Sequence, residues 1–209
     1  MAGIVIRPRS RILHGHDWVY SSEVQKIFGS PENGAVISIK DGKDRMLGSA
    51  IFNQRSQIIA RRFSRQRQDL DADFFVRRIR QAVEYRERRG VNRNLCRLVW
   101  SESDGLPGLI VDRYGDFLVL QTLTLALDQR KELIAQALRE VVAPRGIVER
   151  NDAPIRRAEG MESVTGLLWG EEPPSAVPIE AGGLRFEVDL LHGQKTGFYL
   201  DQVDNYAAV

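Results

Sequence analysis

Three features of the 209-residue sequence predict an α+β fold laid out in consecutive segments. Short apolar runs separated by turn signals fill residues 3–63, the period turns helical over 69–90, and the second half alternates strands with one amphipathic helix. Two compact units are expected, because the length exceeds one typical domain and a 43% apolar content is enough for real cores. The expected segments are a small all-β barrel over 1–70, a basic linker helix over 71–97, an α+β domain of strand-strand-helix-strand-strand order over 98–172, and a hairpin opening a third domain over 173–209.

The first segment reads as strands at 4–7, 18–20, 35–39, 46–52 and 58–63, with turns at Pro31-Glu32-Asn33-Gly34 and Asp41-Gly42. His14 and His16 lack companion ligands, so they predict a turn and no metal site. Asp71 is a natural N-cap for the helix that follows. Phe75, Ile79, Ala82 and Val83 recur at its spacing, and Gly90 supplies a left-handed stop. Further strands are expected at 98–101, 109–113 and 117–121, then a helix over 128–142 burying Leu133, Ile134, Ala137, Leu138 and Val141, then strands at 146–149 and 167–169. The Glu102-to-Gly108 stretch is rich in turn chemistry and reads as a structural loop. Arg150, Asp152, Arg156, Arg157 and Glu159 read as a charged loop with internal ion pairs. After Glu171-Glu172-Pro173-Pro174, runs at 177–180 and 184–188 form a hairpin across Ala181-Gly182-Gly183.

Charge is segregated along the chain. Residues 1–97 carry 20 Lys+Arg against 10 Asp+Glu, a balance of +10, and residues 98–209 carry 10 against 18, a balance of −8. Of the 30 basic residues, 25 are Arg, whose planar fork suits phosphates and base edges. That asymmetry favours a nucleic-acid partner for the first half. Arg7, Arg9, Arg11, Arg55, Arg61 and Arg62 offer cations around the barrel, and Trp18 offers an aromatic face. The arginine face of the helix at 69–90 extends that surface or is simply solvated. No apolar run approaches a membrane span, and the start reads as neither a secretory signal nor a transit peptide, so a cytoplasmic protein is expected. Cys96, the single cysteine, lies between Leu95 and Leu98 and reads as a buried structural thiol.

Gly193 to Gln202, GQKTGFYLDQ, is the stretch that looks most like a binding edge. Two glycines allow close backbone approach, and five polar residues crowd one short loop before a helix start. Lys195-Thr196 is not a phosphate loop, because Gln194 and Asp189 occupy the positions where that motif needs glycine. A polar turn capping a helix is the plain alternative.

HGHDWVYSSEV at 14–24, ESDGLPGLIVDRYGDFLVLQ at 102–121, ERNDAPIRRAEGM at 149–161 and HGQKTGFYLDQ at 192–202 together resemble one family. It is the cytosine-5 methyltransferases of large-subunit ribosomal RNA that use S-adenosylmethionine (SAM) and begin with a PUA domain. The resemblance runs through essentially the whole chain in order. It implies an RNA-binding PUA barrel, a central α+β domain, and a Rossmann-like domain that holds the cofactor and does the chemistry. On this plan Gln194, Lys195, Thr196, Gly197, Phe198 and Tyr199 line one wall of the cofactor cleft. The cofactor turn and the cysteine that attacks the base would lie beyond this chain, which is expected to be inactive alone, with its loop loosely ordered. The family continues LDQR where this sequence has Val203, a departure that bears on the helix after the loop. The rivals are a PUA-type RNA-binding module without catalysis and, with no visible segment for its catalytic Asp, a PUA-bearing pseudouridine synthase.

Overall fold

The computed structural model describes residues 2–8 and 10–202. Six strands build the first sheet: β1 (Gly3–Ile6), β2 (Trp18–Val19), β3 (Val24–Phe28), β4 (Val36–Lys40), β5 (Met46–Phe52) and β6 (Ala60–Ser64). Their order, β2-β6-β5-β4-β1-β3, is linear, so this sheet curls as a half-barrel with free edges at β2 and β3 instead of closing. Strand β3 escaped the sequence reading because its pattern is mostly exposed and carries Gln25 and Lys26. Ile4, Ile6, Ile37, Ile39 and Phe52 fill the concave core.

Helix α1 (Ala72–Arg88) starts where expected, with the Asp71 carboxylate accepting the Phe74 N–H at 2.8 Å. Gly90 follows its end with φ +68. It is not a free linker. Phe74, Phe75, Ile79 and Ala82 are buried in the same cluster as the central sheet, together with Ile51 and Phe63 of the half-barrel. Removing the Phe74 or the Phe75 ring would cost about 3–5 kcal/mol at such a site.

The central sheet has the five strands read individually from the sequence, one more than the strand-strand-helix-strand-strand summary: β7 (Leu95–Trp100), β8 (Leu109–Tyr114), β9 (Phe117–Thr122), β10 (Gly146–Asn151) and β11 (Val164–Gly170), ordered β11-β10-β9-β8-β7. Strands β9 and β10 are parallel, and the crossover between them carries α2 (Leu125–Asp128) and α3 (Lys131–Val142). The helix expected over 128–142 is α3, starting three residues later, and the short α2 before it was not expected. Leu133, expected in the core, is 37% exposed, while Ile134, Ala135, Ala137 and Leu138 face inward. Short α4 (Ile155–Ala158) follows β10.

Alternation along the strands gives the central sheet two apolar faces. Leu98, Val111, Leu118, Leu120 and Ile147 meet α1 and α3. Leu95, Tyr114, Phe117, Val119 and Val148 meet the hairpin of β12 (Val177–Ala181) and β13 (Leu184–Val188). The hairpin turns through Gly182 and Gly183, both at positive φ, as a two-residue loop requires. Its last residue delivers the chain to the loop at 189–202, on the sheet face that carries Asp112 and Tyr114.

The charged segment at 150–159 holds one of the expected internal ion pairs, Arg150 with Asp152 at 3.2 Å, and its other charges also reach far along the chain. Arg156 is buried and donates to the Thr122 carbonyl and to Asp128 at 2.9 Å. Glu159, also buried, accepts from Asn53 of the half-barrel at 2.8 Å.

Candidate functional site

The loop after β13 begins with a turn built by Asp189. Its carboxylate accepts the N–H groups of Leu191 and His192 at 2.8 and 2.9 Å, and its carbonyl accepts that of Gly193 at 3.0 Å. The His192 N–H leads the hydrogen bonds that hold the Asp189 carboxyl below its ordinary value. Lys195, at φ +54, and Gly197, at φ +124, then reverse the chain. A Cβ on Gly197 would lie 2.9 Å from Val188 Cγ1, so glycine is required here by packing within the protein.

Four groups in series fasten the loop to the central sheet. The Phe198 N–H donates to the Tyr114 hydroxyl at 3.2 Å, that hydroxyl meets Thr196 Oγ1 at 3.2 Å, and Thr196 donates to Asp112 Oδ2 at 2.6 Å. Asp112 is fully buried and takes a two-pronged bond from Arg97, at 2.8 and 3.0 Å. The hydrogen bond to Asp112 raises the Arg97 pKa. Burial, above all, pushes Tyr114 up to about 12, so its hydroxyl stays protonated and can donate. From β10, the buried Arg150 donates to the Leu190 and Gly193 carbonyls at 3.1 and 2.8 Å. The loop is therefore anchored, contrary to the expectation of loose order.

The six residues assigned to the cofactor wall divide accordingly. Thr196 is 1% exposed and committed to Asp112 and Tyr114, and Phe198 packs on Phe186 with ring centroids 5.0 Å apart. These two and Gly197 shape the loop from inside. Gln194, Lys195 and Tyr199 remain on the outside. Tyr199 donates to Gln194 Oε1 at 2.6 Å, and the Lys195 ammonium lies 4.1 Å from the Tyr199 ring centroid and 3.5 Å from Asp201. An amide, an ammonium and a phenol on one rigid edge suit a polar ligand such as SAM, as one side of a site and not an enclosure. The residue after this edge, Val203, lies outside the described residues.

The basic half divides too. Arg7 and Arg11 are exposed on the half-barrel; Arg7 donates to the Val24 carbonyl at 3.3 Å, and Arg11 stacks 4.7 Å from the Tyr20 ring centroid. Arg55 is exposed beside Gly160. Arg9 lies outside the described residues. Arg62 is buried, donating to Asp17 at 2.8 Å and to the His16 and Leu47 carbonyls, so it is a structural residue of the sheet. Arg61 is covered as well. It pairs with Glu102 at 3.0 Å, approaches Glu159 at 3.9 Å, and lies 5.2 Å from the ring centroid of Trp18, whose N–H also donates to Glu102 at 2.7 Å. Among the described residues no group of three or more His, Cys, Asp or Glu could hold a metal, and no helix is long and apolar enough to cross a membrane.

Asp112 and Tyr114 were missed as functional positions. They lie two residues apart on a strand and share a face, and a buried Asp in an apolar run was the available signal.

Comparison with known proteins bears on the half-barrel first. Residues 7–65 match the model of a PUA-like domain. The chain is also 40% identical over 201 residues to ribosomal RNA large subunit methyltransferase I of Aeromonas salmonicida, covering 95% of this chain and 51% of that protein. It is 38% identical over 198 residues to the protein of the same name from Vibrio vulnificus, covering 93% and 49%. The chain thus spans about half the length of the curated relatives it matches. A Streptococcus mutans protein described as a SAM-dependent methyltransferase superposes with a TM-score of 0.81 at 21% identity, over 98% of this chain and 53% of that one. A protein described as a methyltransferase, solved in complex with SAH, gives 0.81 at 20% identity, over 98% and 52%. Both share this fold.

Proposed function

We propose that this chain is the RNA-docking and substrate-presenting part of a SAM-dependent methyltransferase that modifies carbon 5 of a cytosine in large-subunit ribosomal RNA. The observation that carries the reading is the 40% identity to a ribosomal RNA large subunit methyltransferase across 95% of the chain. In this reading the half-barrel and its exposed Arg7, Arg11 and Arg55 contact RNA. The edge formed by Gln194, Lys195 and Tyr199 borders the SAM site, and the third segment opens a Rossmann-like domain. SAM supplies an electrophilic methyl on its sulfonium. Cytosine carbon 5 accepts that methyl once a thiolate has added at carbon 6. Cys96 does not serve as that thiolate in this reading, because it sits on β7 inside the core shared with α1, and that burial pushes its pKa up to about 11.

The test has two parts. Incubated with labelled SAM and deproteinised large-subunit ribosomal RNA, the chain is expected to bind the RNA and transfer no methyl. Incorporation would overturn its assignment as a presenting part. Deleting the encoding gene in its host is expected to remove one 5-methylcytidine from large-subunit ribosomal RNA, and an unchanged nucleoside profile would overturn the target.

A further inference from the structure

A cleft of about 190 Å³ opens where the half-barrel meets α1, and its walls include Asp17, Arg62, Arg65, Arg78 and Glu102. Its carboxylates are already matched. Asp17 is taken by Arg62 at 2.7 Å, and Glu102 by Arg61 and Trp18. Its other two guanidinium groups are not. Arg78 is half-buried and donates to the Phe63 carbonyl at 3.3 Å and Gln81 Oε1 at 3.5 Å; it lies 5.5 Å from the Phe74 ring centroid, and among the described residues it has no carboxylate partner. A Cβ on Gly105 would come within 3.1 Å of its central carbon, so the backbone covers it closely on that side. Burial, and then the charge of Arg77, pull its pKa down, the mark of a cation without a counter-ion. Arg65 is exposed on the same cleft with no ion pair or side-chain hydrogen bond among the described residues.

We propose that this cleft seats a backbone phosphate of bound RNA, with Arg78 as the fixed donor and Arg65 closing on the phosphate from the solvent side. An arginine held by neutral groups has already given up much of its side-chain freedom, so it binds a phosphate at reduced entropic cost, and its fork matches two phosphate oxygens. The place fits the ligand. The cleft is lined from the half-barrel, from α1 and from the turn after β7, and the Arg61–Glu102 pair ties that turn to β6 beside it. The site rests on the RNA-docking reading above and adds a contact outside the PUA-like region, since Arg78 lies in α1.

The experiment measures binding of a fluorescein-labelled RNA hairpin to the 209-residue chain and to Arg78→Gln, Arg65→Gln and Arg145→Gln across a salt series. Each cleft variant is expected to lose about tenfold in affinity at low salt. Each should also flatten the slope of log affinity against log salt by about 0.7–0.9, the share of one phosphate contact. Arg145→Gln, which removes an exposed pair with Glu171, is expected to match the parent. Arg65→Gln breaks no internal partner, so it keeps the test valid should Arg78→Gln weaken folding. Parent-like slopes in both cleft variants, with the parent binding in a salt-dependent way, would overturn the phosphate site and leave RNA docking standing. No salt-dependent binding by the parent would overturn both.

Discussion

Arg61 of β6 and Glu102, in the turn after β7, meet at 3.0 Å across the junction of the half-barrel and the central sheet, with Trp18 bonded to the same carboxylate oxygen. Around them Asn53 reaches Glu159, and Arg130 donates to the Gly34 carbonyl at 3.0 Å. Both side chains of the central pair are largely covered, 13% and 26% exposed, so removing one leaves the other charge poorly solvated. A double-mutant cycle of Arg61→Ala and Glu102→Ala in urea is expected to return a coupling of about 1–3 kcal/mol. Additivity within about 0.5 kcal/mol would show that the pair does not join the two units.

Glu102 also makes the junction acid-sensitive. Burial alone would raise its pKa, but hydrogen bonds from Ser101 and Trp18 and the charge of Arg61 outweigh it and hold the carboxyl below its ordinary 4.5. A depressed folded-state value means the stabilisation is complete above 4.5 and is lost as pH falls through the lower folded value. The stability gap between the parent and Glu102→Gln is therefore expected to be widest near neutrality and to shrink in acid. A gap independent of pH would contradict this.

Thr196 is predicted to hold the loop. Thr196→Val keeps the shape but takes a donor from the buried Asp112 and a partner from Tyr114. It should destabilise the chain by about 1–3 kcal/mol and speed hydrogen exchange at the Phe198 amide, while Thr196→Ser should restore most of both. Protection at Phe198 equal to the parent's would show that the series of bonds does not fasten the loop.

Cys96, buried and pushed up to about 11, should resist a thiol reagent at neutral pH in the folded chain and titrate as one thiol after denaturation. Rapid labelling of folded protein would place the thiol at the surface.

Much of the fold was legible because it is set locally. Met46–Phe52 was read to the residue from its apolar run, and Asp71 and Gly90 bracketed α1 through capping chemistry that needs no distant partner. The hairpin at Gly182-Gly183 was legible for the same reason. Strand β3 and the short α2 were not, because β3 presents mostly exposed side chains, and the turn between α2 and α3 carries Arg130, which reaches Gly34, 96 positions away.

The site divides along the same line. Residue type and order mark the arginine-rich half, the polar loop and the likeness of the whole chain to a methyltransferase family, because composition and motif are properties of the chain. Which arginine is free and which is spent cannot be read that way: Arg61, Arg62 and Arg156 look like Arg7 and Arg65 in a sequence, yet the first three are turned inward to carboxylates and carbonyls. The same holds for Thr196, which belongs to Asp112 from 84 positions away while its neighbour Lys195 faces out. A buried polar group must find a partner, and only the packed chain brings those partners within reach.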